Sequence, residues 1–288
     1  MAMIIFELTS AASLSYDKLS RLINQAYSDY FLPVWLDEEQ FAQMCYEEDV
    51  DLSMSVVTLA EGDPVGIALL SRRGKRGWVS GVGVLPLWRR RGIARQMLQH
   101  LQASARDAGM ASLTLEVLGQ NHRAVVLYES LDFVWQRDLL VLSMEPNEFA
   151  LEPLPDAISS VDPMGCLEHY EAFHDTVAPW QRERLTLQHR APALKGLGFW
   201  ESEQLLGYLL YDRQPHHHAV YDLAVLPSLP HRLSIAGSLL LASHSLSPHV
   251  GGYIINIPIE DPLLPVFTRL HYRIWQRQYE MLWTVAHA

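Results

Sequence analysis

The chain repeats itself, and that repeat narrows its possible folds more than any other feature. Ala26-Tyr27-Ser28-Asp29, followed by Pro33, recurs as Ala172-Phe173-His174-Asp175, followed by Pro179. Gly66-Ile67-Ala68-Leu69-Leu70 resembles Gly207-Tyr208-Leu209-Leu210-Tyr211. Val84-Leu85-Pro86 returns as Val225-Leu226-Pro227, and Trp135-Gln136-Arg137 as Trp275-Gln276-Arg277. In chain order the offsets are 146, 141, 141 and 140. Collinear, slowly falling offsets are what a duplicated domain with small loop deletions produces. Pro146, Pro153, Pro155 and Pro163 break regular structure between the copies. The expected domains are therefore residues 1–148 and 149–288, with the boundary near residue 149.

Composition excludes several classes. At 49% hydrophobic and 19% charged residues the chain is neither disordered nor a charged coiled coil. No apolar run approaches the roughly 18 residues of a membrane span. Met1 to Ser13 lacks a basic start and a sustained apolar stretch, so no signal peptide and no membrane partner are expected. Two distant cysteines, Cys45 and Cys166, form no disulfide framework or zinc pattern and suit a reducing, cytoplasmic setting. A net charge of −11 argues against nucleic acid as partner. The charge is nevertheless unevenly spread. Pro64 to Arg106 carries nine basic residues and no acid, which suits a small anionic ligand. Asp37 to Asp51 carries seven acids and no base, consistent with attraction of a cation or with a solvated helix face.

In the first copy, apolar spacing and caps predict the order β-α-α-β-β-β-α-β-α-β, a mixed α/β (α+β) arrangement. Asp37 is a good N-cap, with Gln40 at the capping-box position and Leu36 and Phe41 able to staple it. Within Gly81-Val-Gly-Val-Leu-Pro-Leu-Trp-Arg-Arg-Arg-Gly-Ile-Ala-Arg95 a strand ends at Pro86 and a helix opens around Gly92. Unpaired amides at a helix start suit a pyrophosphate, and Gly92, lacking Cβ, admits one close to the backbone. Arg89, Arg90, Arg91 and Arg95 add positive charge where the helix dipole disfavours it, which again points to an anion. Neither the P-loop nor the dinucleotide fingerprint fits these residues.

Arg89-x-x-Gly92-x-Ala94 resembles the acetyl-CoA motif of the Gcn5-related N-acetyltransferase (GNAT) superfamily. Leu115-Glu116-Val117 followed by Asn121-x-x-Ala124-x-x-Leu127-Tyr128-Glu129-x-Leu131-Asp132-Phe133 resembles that family's second block, with Asp132 where the family prefers Gly. The resemblance covers about residues 3–144. It implies two tandem GNAT domains, each a mixed, mostly antiparallel sheet flanked by helices. It also implies transfer of an acetyl group from acetyl-CoA, as cosubstrate and without a metal, to a small-molecule or peptide amine by direct attack.

The resemblance assigns roles to particular residues. Val82 and Val84 would give backbone hydrogen bonds to the pantetheine arm. Arg89, Arg90, Arg91, Gly92, Ile93, Ala94 and Arg95 would hold the pyrophosphate, and Asn121 would contact the cofactor arm. Tyr128 would protonate the leaving thiolate. Glu116, twelve residues before Tyr128 as in the ribosomal-protein alanine acetyltransferases, would be the base, with a water chain as the alternative. A non-catalytic CoA-binding sensor or scaffold is the competing function. Either a monomer or a homodimer fits.

The second copy looks degenerate. Ser228-Leu229-Pro230-His231-Arg232-Leu233 stands where the arginines and glycine stood. Depending on a one-residue alignment choice, Tyr128 corresponds to Phe267 or Thr268, and Asn121 to Glu260 or Asp261. His216-His217-His218 follows Gln214-Pro215 and is expected in a strand-connecting surface loop; neighbours on a strand face opposite ways, so three in a row cannot share one ion. Cys45 and Cys166 are expected to be buried or half-buried residues and not nucleophiles.

Overall fold

The computed structural model describes residues 5–32, 34–146, 155–213, 217–246 and 249–285. The elements of the first copy are β1 (Phe6–Ser10), α1 (Tyr16–Ala26), α2 (Glu38–Glu47), β2 (Val56–Ala60), β3 (Asp63–Arg73), β4 (Arg76–Val84), α3 (Ile93–Asp107), β5 (Ser112–Leu118), α4 (His122–Glu129) and β6 (Val134–Met144). Their order is the expected one. The second copy runs β7 (Ile158–Val161), α5 (Pro163–Glu168), α6 (Tyr170–Phe173), α7 (Arg184–Arg190), β8 (Lys195–Glu201), β9 (Gln204–Arg213), β10 (His217–Val225), α8 (Arg232–Ser245), β11 (Gly251–Pro258), α9 (Leu264–Arg269) and β12 (Arg273–Thr284). Asp37 caps α2 in a full capping box with Gln40.

The two compact units are not two linear halves. One comprises residues 1–136 with 279–288, the other residues 137–278. The expected boundary near residue 149 lies outside the described residues. The difference comes from the closing strands. In the first unit the strand order is β1-β2-β3-β4-β5-β12, and Met281 and Trp283 of β12 belong to its core. In the second it is β6-β11-β10-β9-β8-β7, with Leu142 of β6 opposite Ile254 of β11. Most of β6, from residue 137, thus counts in the second unit, and the end of β12, from residue 279, in the first. Both strands end in apolar residues, Leu139 to Leu142 in β6 and Met281, Leu282 and Trp283 in β12, so either could fill either place by pattern alone.

In the first unit, period-two alternation divides the sheet between two cores. Val57, Ile67 and Leu69 face Leu19, Leu22 and Phe41 of α1 and α2. Val56, Ala68 and Leu70 face Met97, Leu101 and Tyr128 of α3 and α4. Strands β1 to β4 pair antiparallel in sequence order. Strands β4 and β5 run parallel but pair only over Arg76–Trp78 and Ser112–Thr114, so they part beyond that point. The second unit repeats this split. There β10 and β11 pair over His217–Ala219 and Gly251–Tyr253.

One local expectation fails. His218 is completely buried on β10, with Nε2 3.1 Å from Ser243 Oγ and its ring against Tyr211 and His244. Strand alternation carries it into the core instead of a surface loop. Residues 214–216 lie outside the described residues. Cys45 and Cys166 are buried free thiols, each pushed up to about 12 by burial.

Candidate functional site

The site is built around the split in the first unit. Past Val84 a short 3₁₀ turn, Pro86–Trp88, leads into a loop whose φ is +64° at Arg90 and +82° at Gly92. Gly92 is the N-cap of α3, and a Cβ there would meet nothing within 4 Å. The first helical bond is Gln96 N–H to Gly92 C=O. The amides of residues 90–95 therefore have no acceptor among the described residues. Left-handed residues on either side of Arg91 turn successive N–H groups toward one concavity, the geometry of an anion nest.

The arginine side chains behave differently from one another. Arg89 donates Nε to Val84 C=O (3.0 Å), Nη2 to Ala26 C=O (2.9 Å), and Nη1 and Nη2 to the two Asp29 carboxylate oxygens (2.7 and 2.6 Å). That bidentate contact holds the Asp29 carboxyl below its usual range. Arg91 lies over the Trp88 ring at 4.8 Å, and Arg95 donates to Ser130 Oγ at 2.7 Å. The exposed Arg90 has no side-chain partner among the described residues.

At the split itself, Tyr27 at the end of α1 reaches the β4 backbone. Its hydroxyl accepts from Val82 N–H (3.2 Å) and donates to Val82 C=O (3.0 Å). This close approach requires Gly83, where a Cβ would sit 2.8 Å from the Ala26 Cβ and 3.1 Å from the Tyr27 ring. Tyr30 meets Tyr27 edge-on at 5.0 Å and shares a hydrogen bond with Asn121. Asn121 also caps α4, accepting from Ala124 N–H. Burial raises the Tyr27 hydroxyl to about 12. Tyr128 is buried on α4, edge-on to Phe133, with no hydrogen-bond partner for its hydroxyl among the described residues. Burial, and then the proximity of Tyr27 and Tyr30, pushes it far above the ordinary phenol range. Glu116 lies on the other face of β5 from the α3 core, and its Oε2 accepts from Trp78 Nε1 at 2.5 Å.

Tyr27 and Tyr30 belong to no catalytic or cofactor motif. The one available signal was the repeat, in which Tyr27 becomes Phe173 and loses its hydroxyl. Part of the acidic stretch is explained locally. Asp37 is a cap, Asp49 pairs with Arg73 at 2.7 Å, and Asp51 accepts from Ser53 N–H.

The second unit shows what has been lost. No residue from 226 to 233 has positive φ, and the amides of Leu229 and Arg232 are taken by Leu226 and Leu229 carbonyls. Asp222 stands at the place of Gly81. It is fully buried, bonded to Tyr208 Oη (2.9 Å) and His174 Nε2 (3.1 Å), with Arg182 at 3.6 Å. The helix-end geometry decides the alignment left open above. Phe133 N–H binds Tyr128 C=O, as Tyr272 N–H binds Phe267 C=O, and the left-handed Asp132 matches His271. Tyr128 therefore corresponds to Phe267. At the helix start Asn121 N–H binds Leu118 C=O and Asn121 C=O accepts from Ala124 N–H, as Asp261 N–H binds Pro258 C=O and Asp261 C=O accepts from Leu264 N–H, so Asn121 corresponds to Asp261. The left-handed φ of +65° at Asp132 also explains why glycine suits that turn.

The profile of the acetyltransferase (GNAT) family matches residues 20–133. An acetyltransferase of Sodalis glossinidius is 31% identical over 108 residues, which are 38% of this chain and 75% of that protein. The chain belongs to the GNAT acetyltransferase family. As a GNAT protein it is an N-acetyltransferase, an enzyme of acyl transfer. The ribosomal protein bS18-alanine N-acetyltransferase of Escherichia coli is 42% identical over 52 residues, 18% of this chain and 35% of that enzyme. Two solved structures share the fold along the whole chain. A GCN5-related N-acetyltransferase from Sphaerobacter thermophilus superposes with a TM-score of 0.72 at 17% identity, covering 98% of this chain and 95% of that one. A tandem GNAT protein from the clavulanic acid biosynthesis pathway superposes with a TM-score of 0.73 at 15% identity, covering 99% and 100%. Among the described residues no group of three or more His, Cys, Asp or Glu could hold a metal ion, and no helix is long and apolar enough to cross a membrane.

Proposed function

We propose that the first unit transfers an acetyl group from acetyl-CoA to a primary amine by direct attack, and that the second unit binds no CoA. The observation that carries this reading is the row of acceptor-free amides from residue 90 to 95, present in one copy and absent from the other. Such a nest fits a pyrophosphate, and Gly92 leaves the approach open. The backbone of Val82 and Val84, beside the split, would take the pantetheine arm, with Asn121 next to it. Val82 would then exchange its hydrogen bonds with Tyr27 for bonds to the arm.

The amine nitrogen attacks the acetyl carbonyl carbon, the carbon–sulfur bond breaks, and the thiolate takes its proton from Tyr128. The phenol suits this role because burial keeps it protonated. The amine's surplus proton goes to Glu116, directly or through water. Trp78 fixes the orientation of that carboxylate. The acceptor is a small-molecule or peptide amine. The bS18-alanine relative makes a peptide with N-terminal alanine the first to try.

The test is calorimetry of CoA together with thiol release from acetyl-CoA across an amine panel. One CoA per chain with amine-dependent release is expected. Two CoA per chain would overturn the reading of the second unit, and CoA binding without turnover on any amine would favour a sensor.

A further inference from the structure

The Arg-x-x-Gly motif suggests that its first residue greets the phosphates. Geometry points elsewhere. Arg89 already makes four hydrogen bonds, to Val84, Ala26 and both Asp29 oxygens, and guanidinium has only five N–H donors. Its charge is compensated by the bidentate Asp29 carboxylate. One N–H remains for any anion. We propose that Arg89 is a positioning residue: paired with Asp29, it bolts the amide loop to the ends of β4 and α1, so that donor affinity depends on a charge pair that never touches the donor. This inference rests on the donor-binding reading given above.

The duplication supplies independent support. Arg232 donates to Asp175 through Nη1 at 2.6 Å and Nη2 at 3.3 Å. Asp175 is the repeat partner of Asp29 (175 − 29 = 146); Arg232, the first residue of α8, lies 143 residues beyond Arg89 (232 − 89), so the pair recurs at the same helix start but not in strict repeat register. That copy has neither the left-handed pair nor the row of acceptor-free amides, yet an Arg–Asp salt bridge stands at the same helix start. An arginine that served phosphate would have no reason to stand there. One that fastens a loop to the end of a helix would. In the first unit the same bolt also fixes the segment bearing Tyr27 and Tyr30, and so couples the amide loop to the split. Direct charge for the phosphates falls to Arg90, the neighbour with no side-chain partner among the described residues.

The test uses the full chain. CoA calorimetry, donor KM and kcat, and Tm are measured for wild type, Asp29→Asn, Arg89→Met, the double variant, Asp29→Glu, and the control Asp175→Asn. If the bolt holds the loop competent and its loss leaves about a tenth of molecules competent, Kd for CoA rises about tenfold in each single variant. The double variant is no weaker than either single, because both remove the same bolt. Asp29→Glu keeps most of the affinity and Asp175→Asn keeps all of it. Saturating kcat stays near wild type, and Tm moves little, since the pair is 39% and 54% exposed. The signs separate the two roles. If Arg89 were a phosphate ligand, freeing it by Asp29→Asn would leave CoA binding unchanged or tighter, and that result overturns the inference. Additive losses in the double variant would overturn it too. No CoA binding by wild type would instead remove the donor reading itself, and this inference with it.

Discussion

Replacing Tyr128 with Phe isolates the proposed acid, because the structure separates its chemical role from its packing role. The ring is 8% exposed and lies edge-on to Phe133 at 6.0 Å. Phe preserves that packing. The hydroxyl has no hydrogen-bond partner among the described residues, so its removal strands no donor or acceptor. A broken bond would cost about 1 kcal/mol and a few degrees, and here the expected Tm change is under about 2 °C. Catalysis loses its proton donor to the thiolate. Positioned acids contribute at least about a hundredfold, or about 2.7 kcal/mol in the barrier. Saturating kcat should fall by about that factor, with donor KM unchanged, in a thiol-release assay. Because burial keeps the phenol protonated far above neutral pH, the ratio of wild type to variant should stay constant across the working pH range. A kcat within about threefold of wild type would refute the assignment, because a positioned acid should contribute far more. A large Tm loss would show that the hydroxyl serves the fold instead.

Two further outcomes follow from backbone and burial. Gly92→Ala has space, but it forces a side chain to φ +82°, which costs about 1–2 kcal/mol. CoA affinity should drop along with stability, whereas Gly109→Ala, at φ +66° in similarly open space, should lose stability alone in paired calorimetry and Tm measurements. In the second unit, burial lowers the His244 imidazole to about 4, with Nε2 at 2.9 Å from Tyr272 Oη. The unfolded chain takes that proton first, so the contribution is complete above about pH 6.5 and is lost as pH falls toward 4. It amounts to about 3 kcal/mol. Denaturant midpoints should fall over that window in wild type and be flatter in His244→Gln. Equal slopes would mean that the ring is not held neutral.

Whatever is local or periodic in this chain is legible before it folds. Apolar spacing set the element order, Asp37 set its cap, and the shift to Gly92 after an arginine run marked the amide loop. The repeat announced that one fold is written twice. These features are legible because caps, turns and amphipathic faces depend on residues a few positions apart. Tertiary structure decided which distant groups meet. Both β6 and β12 are apolar enough for either sheet, so only pairing reveals that each joins the other copy's strands. Arg89 read as phosphate charge because nothing near it in sequence discloses Asp29, 60 residues away, as its partner. Tyr27 on Val82, Tyr30 on Asn121, Trp78 on Glu116 and the buried His218 were hidden for the same reason. Side-chain partners across a split sheet are chosen by the path of the backbone through space, and a local pattern carries no record of that path.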